Sequence, residues 1–273
     1  MLEQADNLDL KNTSTQIRKN ILHMMTGSES SHIGAALSAV EIITILYFKI
    51  LNINPKKPLL EDRDKFILSK AHSSPALYAA LAEKGFFPKK YLETFYRNGG
   101  ILPGHIDKNA VPGIEYSLGS LGHGLAVGIG MAISNKKDEN FGRIFVLLGD
   151  GECDEGSVWE GAMLASHLKL DNLTAIIDYN KIQSFGRTDE VINLEPFAKK
   201  WQSFGWNVFE INGHDFEDLY NALTSPHNGS PKMIIAHTIK GKGISFMEDK
   251  LEWHYKCPDE DQLKHAIEEL ENS

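Results

Sequence analysis

Apolar positions along the chain follow two different rhythms. In the first half they recur at helical spacing: within residues 14–25, Ile17, Ile21, Leu22 and Met25 fall on one face of a helix. A second helix is predicted over 37–51, closed by Asn52-Ile53-Asn54-Pro55. Residues 63–69 read as a short buried strand that runs into Ala71-His72-Ser73-Ser74-Pro75. Pro75 suits the first turn of a helix, where its missing N–H would have had no partner. Residues 99–124 are rich in glycine and carry no period. A loop of that length inside a compact domain is usually functional. A helix of small residues is predicted over 125–134.

The second half alternates strands and helices. Arg143-Ile144-Phe145-Val146-Leu147-Leu148-Gly149 is an apolar run of the kind found in parallel sheets buried on both faces. A helix over 156–168 and a strand over 173–178 complete a βαβ unit. Two more strands are predicted at 206–211 and 232–238, with a helix over 216–223 between them. The expected fold class is therefore α/β: an open, mostly parallel sheet flanked by helices. One domain is expected over residues 1–273, with a short C-terminal extension from about residue 250.

Composition narrows the function. The chain has 273 residues, 42% of them hydrophobic, enough for one sizeable core. Its net charge of −9 argues against nucleic acid or an acidic membrane as partner, since both require a basic face. Two cysteines, Cys153 and Cys257, offer neither metal spacing nor a disulfide framework, which fits a reduced, cytoplasmic setting. The N-terminus lacks the basic-then-apolar order of a signal peptide. The most apolar stretch, residues 40–51, is too short and too interrupted to span a bilayer.

Parallel strands put their C-terminal ends along one edge, where ligands bind. Asp150, between Gly149 and Gly151, lies at the end of the first strand of the βαβ unit, and Asn180 lies just past the end of the second. A carboxylate and an amide carbonyl are hard oxygen donors. With a backbone carbonyl, water and two phosphate oxygens they would complete an octahedral Mg²⁺ shell. Gly151 would let backbone approach a phosphate, and the helix that follows could turn its free N–H groups to the same anion. Gly-Asp-Gly is also an ordinary turn, and an asparagine after a strand often only caps a loop. The pattern alone leaves both readings open.

The residues around this pair resemble a known family. Gly149-Asp150-Gly151 followed by Asn180 is similar to the thiamine diphosphate motif, which opens with GDG and ends in asparagine. Ser31-His32-Ile33-Gly34, Ala71-His72-Ser73-Ser74-Pro75, Pro103-Gly104-His105, Gly119-Ser120-Leu121-Gly122-His123-Gly124 and Trp253-His254 resemble successive landmarks of transketolase, in order and across nearly the whole chain. The resemblance is to the N-terminal, diphosphate-binding (PP) domain. The second domain of transketolase, which carries the glutamate that activates the cofactor and arginines that grip a sugar phosphate, has no counterpart here. Chains of this length resemble the N-terminal subunit of split transketolases.

That resemblance implies a set of roles. Asp150, Asn180 and the carbonyl of Ile182 would hold Mg²⁺, or Ca²⁺ or Mn²⁺ in its place. His72, Gly151 and His254 would contact the diphosphate, with Glu152 in the same cofactor-binding set. Gly119 and Leu121 would lie against the cofactor through their backbone. His32, His105 and His254 would line the donor-sugar channel, with His72 completing the catalytic set. Glu155 and Glu160 would link two active sites across a dimer. Thiamine carries the carbanion chemistry, and histidines titrate where the required proton transfers occur. The implied reaction moves a two-carbon ketol unit from a ketose to an aldehyde or keto-sugar acceptor. It requires a C-terminal subunit bearing the pyrimidine-binding domain, in a heterotetramer with two copies of each chain, acting on sugars or sugar phosphates.

Three positions depart from the family: Ile33 replaces a proline, His123 a common glutamine, and Tyr179 a common asparagine before Asn180. His23, His167 and His214 match no family position and read as structural. Among rivals, Gly122, Gly124 and Gly128 only loosely resemble a dinucleotide fingerprint, and Lys240-Gly241-Lys242-Gly243 lacks the leading glycine and Ser/Thr of a P-loop, reading instead as a basic turn. A subunit of a 2-oxoacid dehydrogenase or of a deoxyxylulose-phosphate synthase shares the Asp150–Asn180 pair, but the histidine set favours transketolase. A non-catalytic regulatory homologue would have no reason to keep buried charge without a cation.

Overall fold

The computed structural model describes residues 2–272. Helix α1 (Gln4–Ser28) extends the predicted 14–25 segment in both directions and buries Leu10, Ile17, Ile21, Leu22, Met24 and Met25. The helix expected over 37–51 starts earlier and is broken. It comprises α2 (Ile33–Ser38), α3 (Val40–Ile45) and a π-helical turn (Leu46–Ile50), with Ala39 as the junction. The break is buried on every side, so packing rather than helix propensity sets it. Extended backbone at Leu51 ends the segment.

Five strands form the sheet: β1 (Lys65–Leu68), β2 (Ile144–Gly149), β3 (Leu173–Tyr179), β4 (Asn207–Asn212) and β5 (Lys232–His237). Their spatial order is β1-β2-β3-β5-β4, and every neighbouring pair is parallel. The three central strands are apolar on both faces because helices cover both. Tight burial of β2 and β3 pins their register, with Ile144 beside Leu173 and Gly149 beside Asp178. The residues that follow Gly149 and Tyr179 therefore emerge side by side on one edge.

Helix α4 (Ser74–Lys84) begins with Pro75 in its first turn, as expected. Helix α5 (Gly124–Lys137) covers β2; its Gly128 faces Val146, whose Cγ2 would lie 2.5 Å from an added Cβ, so α5 packs against the strand only through a glycine. Helix α6 (Gly156–His167) falls where expected, with a 3₁₀ turn (Gly151–Asp154) between it and β2. Helices α7 (Thr188–Val191) and α8 (Phe197–Ser203) add to the predicted elements. Both are too short to show a period. Helix α8 is anchored by the buried Phe197 and Trp201, which meet Trp159 and Trp206 in edge-on or tilted contacts. Beyond residue 250 a 3₁₀ turn (Leu251–His254) and α10 (Glu260–Glu271) follow. Ala266 and Leu270 bury one face of α10, which packs on α1. Among the described residues, no helix is long and apolar enough to cross a membrane.

Helix α9 (Phe216–Thr224) ends on an internal cation. Lys232, at the start of β5, is fully buried and donates from Nζ to the carbonyls of Ala222 (3.0 Å), Leu223 (3.1 Å) and Ser225 (2.6 Å). A positive group suits a helix C-terminus, where unpaired carbonyls concentrate negative charge. Replacing Lys232 with Met keeps the apolar stem and leaves three carbonyls without this donor. The expected loss is about 2 kcal/mol of stability, seen in calorimetry as a fall in Tm of about 5 °C. An unchanged Tm would show that the ammonium contributes nothing net.

Candidate active site

The edge formed by β2, β3 and β5 opens into a cavity of about 260 Å³ lined by residues from seven separate segments. Asp178, the sixth residue of β3, is fully buried beneath it. Its carboxylate forms an ion pair with Lys70, accepts from the hydroxyls of Ser38 (2.6 Å) and Thr238, and lies 3.4 Å from the amide of Asn180. Burial pushes its pKa up, but Lys70 and the hydroxyl donors outweigh that and hold it below the usual carboxylate range. Lys70 follows β1, so this interaction ties three strand ends together.

Asp150 and Asn180 meet in this cavity, as their placement on consecutive strand ends implies. Asp150 accepts from the N–H of Gly151 (2.7 Å) and of Lys181 (2.5 Å). The side-chain oxygen of Asn180 accepts from the N–H of Ile182 (3.1 Å), bracing the backbone next to the Ile182 carbonyl. Lys240 donates from Nζ to that carbonyl (2.9 Å) and lies 2.8 Å from His254 Nδ1. A lysine ammonium thus already sits against one of the three oxygen donors. Burial, with nearby Asp178, raises the Asp150 carboxyl to about 6. Burial, with Lys70, lowers the Lys240 ammonium to about 8.

Four histidines form a row: His32, His72 and His254 line the cavity, and His105 continues the row from behind His72 without joining the lining. Ring centroids are 4.8 Å apart for His254 and His32, 4.8 Å for His32 and His72, and 4.6 Å for His72 and His105. His32 is held in left-handed backbone (φ 79°), with its N–H donating to the His254 carbonyl at 2.8 Å. Burial and the neighbouring positive groups keep three of the rings uncharged: His32 is lowered to about 4, His254 to about 3, and His72 is also lowered.

The remaining predicted residues divide. Leu121, Gly151 and Ile182 line the cavity. Gly119 lies one shell out, where a Cβ would sit 3.6 Å from the His105 ring. Glu152 lines the cavity, but its carboxylate is taken up by the backbone. It accepts from Gly122 N–H (2.9 Å), Gly149 N–H (3.1 Å) and the Ser69 hydroxyl, pinning the glycine-rich loop to β2. Glu155 and Glu160 are exposed and lie outside the cavity. The helix expected to aim its N–H groups at an anion does not do so, because α6 starts beyond the 3₁₀ turn and contributes no residue to the lining. His123 is exposed, with Nδ1 2.9 Å from the Leu121 carbonyl.

Sequence reading misses Lys70 and Lys240. The second falls in what reads as a basic turn, yet it is a buried cation at the centre of the site. Two lysines at 6% and 1% exposure would have been the signal, but burial is not readable from the chain alone. Tyr255 is missed as well. It lines the cavity and its hydroxyl donates to the Ser184 carbonyl (2.9 Å) across the mouth.

This donor set suits a divalent cation that brings anionic oxygens of its own. One carboxylate, one amide oxygen and one carbonyl are hard ligands but an incomplete octahedral shell. Among the described residues, no cluster of three or more His, Cys, Asp or Glu side chains could hold a metal alone. Two ammonium groups beside the same oxygens match the negative charge of a diphosphate.

Comparison with known proteins agrees. The family described as "Transketolase, thiamine diphosphate binding domain" matches residues 11–271. Over 269 residues the chain is 42% identical to one of the subunits of the apulose-4-phosphate transketolase of Phocaeicola vulgatus, covering 98% of this chain and 95% of that protein. It is 43% identical over 266 residues to the 6-deoxy-6-sulfo-D-fructose transketolase subunit SqwG of a Clostridium species, covering 97% of each. The crystal structure of transketolase from Campylobacter jejuni superposes with a TM-score of 0.90 at 30% identity, covering 99% of this chain and 43% of that one. The chain belongs to the transketolase family, matching its thiamine diphosphate binding domain.

Proposed function

We propose that this chain is the diphosphate-binding subunit of a two-component transketolase that moves a two-carbon ketol unit from a ketose donor to an aldehyde or keto-sugar acceptor. The observation that carries this reading is the meeting, in one cavity, of three hard oxygen donors, two lysine ammoniums and a row of uncharged histidines. Asp150, Asn180 and the Ile182 carbonyl hold Mg²⁺, with Ca²⁺ or Mn²⁺ as substitutes. Lys70, Lys240, His72 and Gly151 face the diphosphate, and Leu121 and Gly119 back the ring system. Thiamine diphosphate supplies the nucleophilic carbon and the electron sink that cleavage beside a ketose carbonyl requires.

The chain's own residues bind, orient and move protons. His32 and His72 are kept neutral and so can accept a proton from a donor hydroxyl near pH 7, while His254, whose Nδ1 accepts from Lys240, carries its ring proton on Nε2 as a donor. Lys240 thereby fixes the tautomer of His254. Glu152 fixes the loop bearing Leu121. Glu155 and Glu160, exposed at the start of α6, are placed to meet a second copy of the chain. The companion carries the pyrimidine-binding domain and the activating glutamate, and the assembly is a cytoplasmic heterotetramer with two copies of each chain. The names of the relatives support the companion: both are called one subunit of a transketolase, one for apulose 4-phosphate and the other for 6-deoxy-6-sulfo-D-fructose. Sugars of that polar, ketose-derived class are the substrates proposed here.

Four measurements test the reading. With its companion the chain should turn over ketose and aldose in the presence of Mg²⁺ and thiamine diphosphate; without it no turnover is expected. Native mass spectrometry should show two copies of each chain, and ordinary turnover by the isolated chain would overturn the two-component reading. Asp150→Ala should abolish Mg²⁺-dependent cofactor binding in the complex. In the wild type, a carboxyl raised to about 6 is protonated below that pH, and the proton competes with the cation. Cofactor affinity in Mg²⁺ should therefore fall as pH drops through about 6, approaching about tenfold per unit. Calorimetric titration at pH 5 and pH 7 measures this, and equal affinities would remove Asp150 from the cation shell.

A further inference from the structure

Away from the cavity, a second buried ionic cluster joins four parts of the chain. Arg18 of α1 donates from Nη2 to both oxygens of Glu41 in α3, at 2.7 and 2.9 Å. His214, in the turn after β4, places Nδ1 2.9 Å from Glu41 Oε2. The other ring nitrogen, Nε2, accepts from the backbone N–H of Ile239 at 2.8 Å. Because an amide N–H can only donate, Nε2 must be the acceptor. The ring proton therefore sits on Nδ1 and points at Glu41. Arg18 is not finished at Glu41: its Nε donates to the Lys242 carbonyl at 2.9 Å.

These contacts share a target. Ile239 and Lys242 flank Lys240, the lysine that enters the cavity. The turn between them is tight. Gly241 has φ +80°, with its N–H donating to the Gly34 carbonyl (2.9 Å), and a Cβ there would lie 2.4 Å from the Met247 carbonyl oxygen. Gly243 has φ +95°, and a Cβ there would lie 2.8 Å from Arg18 Nε. The backbone is thus gripped before Lys240 by His214 and after it by Arg18, and one carboxylate, Glu41, fixes both gripping side chains. Arg18 and Glu41 are 5% and 7% exposed, so the cluster is shielded from competing water.

We propose that Arg18, Glu41 and His214 act as positioning residues for the cofactor. They form a buried clamp that holds the 239–243 turn so that Lys240 reaches the diphosphate side of the cavity. A flexible four-carbon stem presents its ammonium usefully only if its backbone is fixed. This rests on the proposed cofactor site, because Lys240 matters there only if an anion binds. The clamp itself does not depend on that reading.

The test uses the full chain in complex with its companion. His214→Leu keeps an apolar side chain of similar size and removes both bonds. His214→Gln restores a donor and an acceptor on one side chain. Glu41→Gln loosens the clamp with the least change of shape and serves if the leucine variant does not fold. Three readouts are compared: amide hydrogen exchange at Ile239 before cofactor is added, the thiamine diphosphate Kd by calorimetry in Mg²⁺, and kcat at saturating cofactor. Expected for the leucine variant are faster exchange confined to the 239–243 turn, a Kd raised about tenfold, the effect of losing one or two buried hydrogen bonds, and a kcat that recovers at saturation. The glutamine variant should return both exchange and Kd toward wild type. Unchanged exchange at Ile239, or faster exchange spread evenly through α1, α3 and α9, would overturn the clamp. Local loosening with unchanged Kd would overturn its role toward the cofactor. If the wild type binds no thiamine diphosphate, the site reading fails, while the exchange result still decides whether the clamp exists.

Discussion

A carboxylate with no exposed surface organises the whole site. Asp178 lies inside a strand that is apolar on both sides, where an unpaired charge would be intolerable. It is stable there because Lys70, Ser38, Thr238 and Asn180 converge on it from separate elements. Two of those partners also have a second duty: Lys70 donates to the Ala35 carbonyl (3.0 Å), and Asn180 accepts from the Ile182 N–H (3.1 Å). Removing one partner of such a cluster leaves the others charged or unpaired in a place water cannot reach. The cavity walls therefore share a foundation and should not rearrange one at a time.

The parallel sheet supplies the geometry that this cluster holds in place. Register between β2 and β3 puts Gly149 beside Asp178, so Asp150 and Asn180 need only one or two further residues to face each other. The glycine-rich loop then closes over them, tied down by Glu152 rather than by regular secondary structure. The long aperiodic stretch from 99 to 123 is ordered by side chains reaching its backbone, as with Tyr78, whose hydroxyl donates to the Pro103 carbonyl (3.1 Å), and Ser74, which donates to the Gly104 carbonyl (2.6 Å).

Much of this is legible in the chain. Runs such as 143–149 and 173–178 are long enough and apolar enough to announce buried parallel strands, and both fall where expected. Asp150 and Asn180 can be paired because strand ends in a parallel sheet share an edge. The legible part ends where burial decides the role. Lys240 sits in a sequence that reads as an exposed basic turn, and only the fold reveals it as an interior cation. His214 shows no local signal, since its partners Glu41 and Ile239 are distant in sequence. The π-helical turn at Leu46–Ile50 and the short α8 are likewise products of packing that no period encodes. The 3₁₀ turn after Asp150 (Gly151–Asp154) is also too short to leave a period in the sequence.

The row of four histidines has a consequence for charge. Each ring lies within 5 Å of the next, so a proton on one raises the cost of a proton on its neighbour. His32, His72 and His254, all held below the ordinary imidazole range, therefore do not take up protons independently of one another. The row thus acts as one electrostatic unit, and a change of charge at one ring is felt along its length.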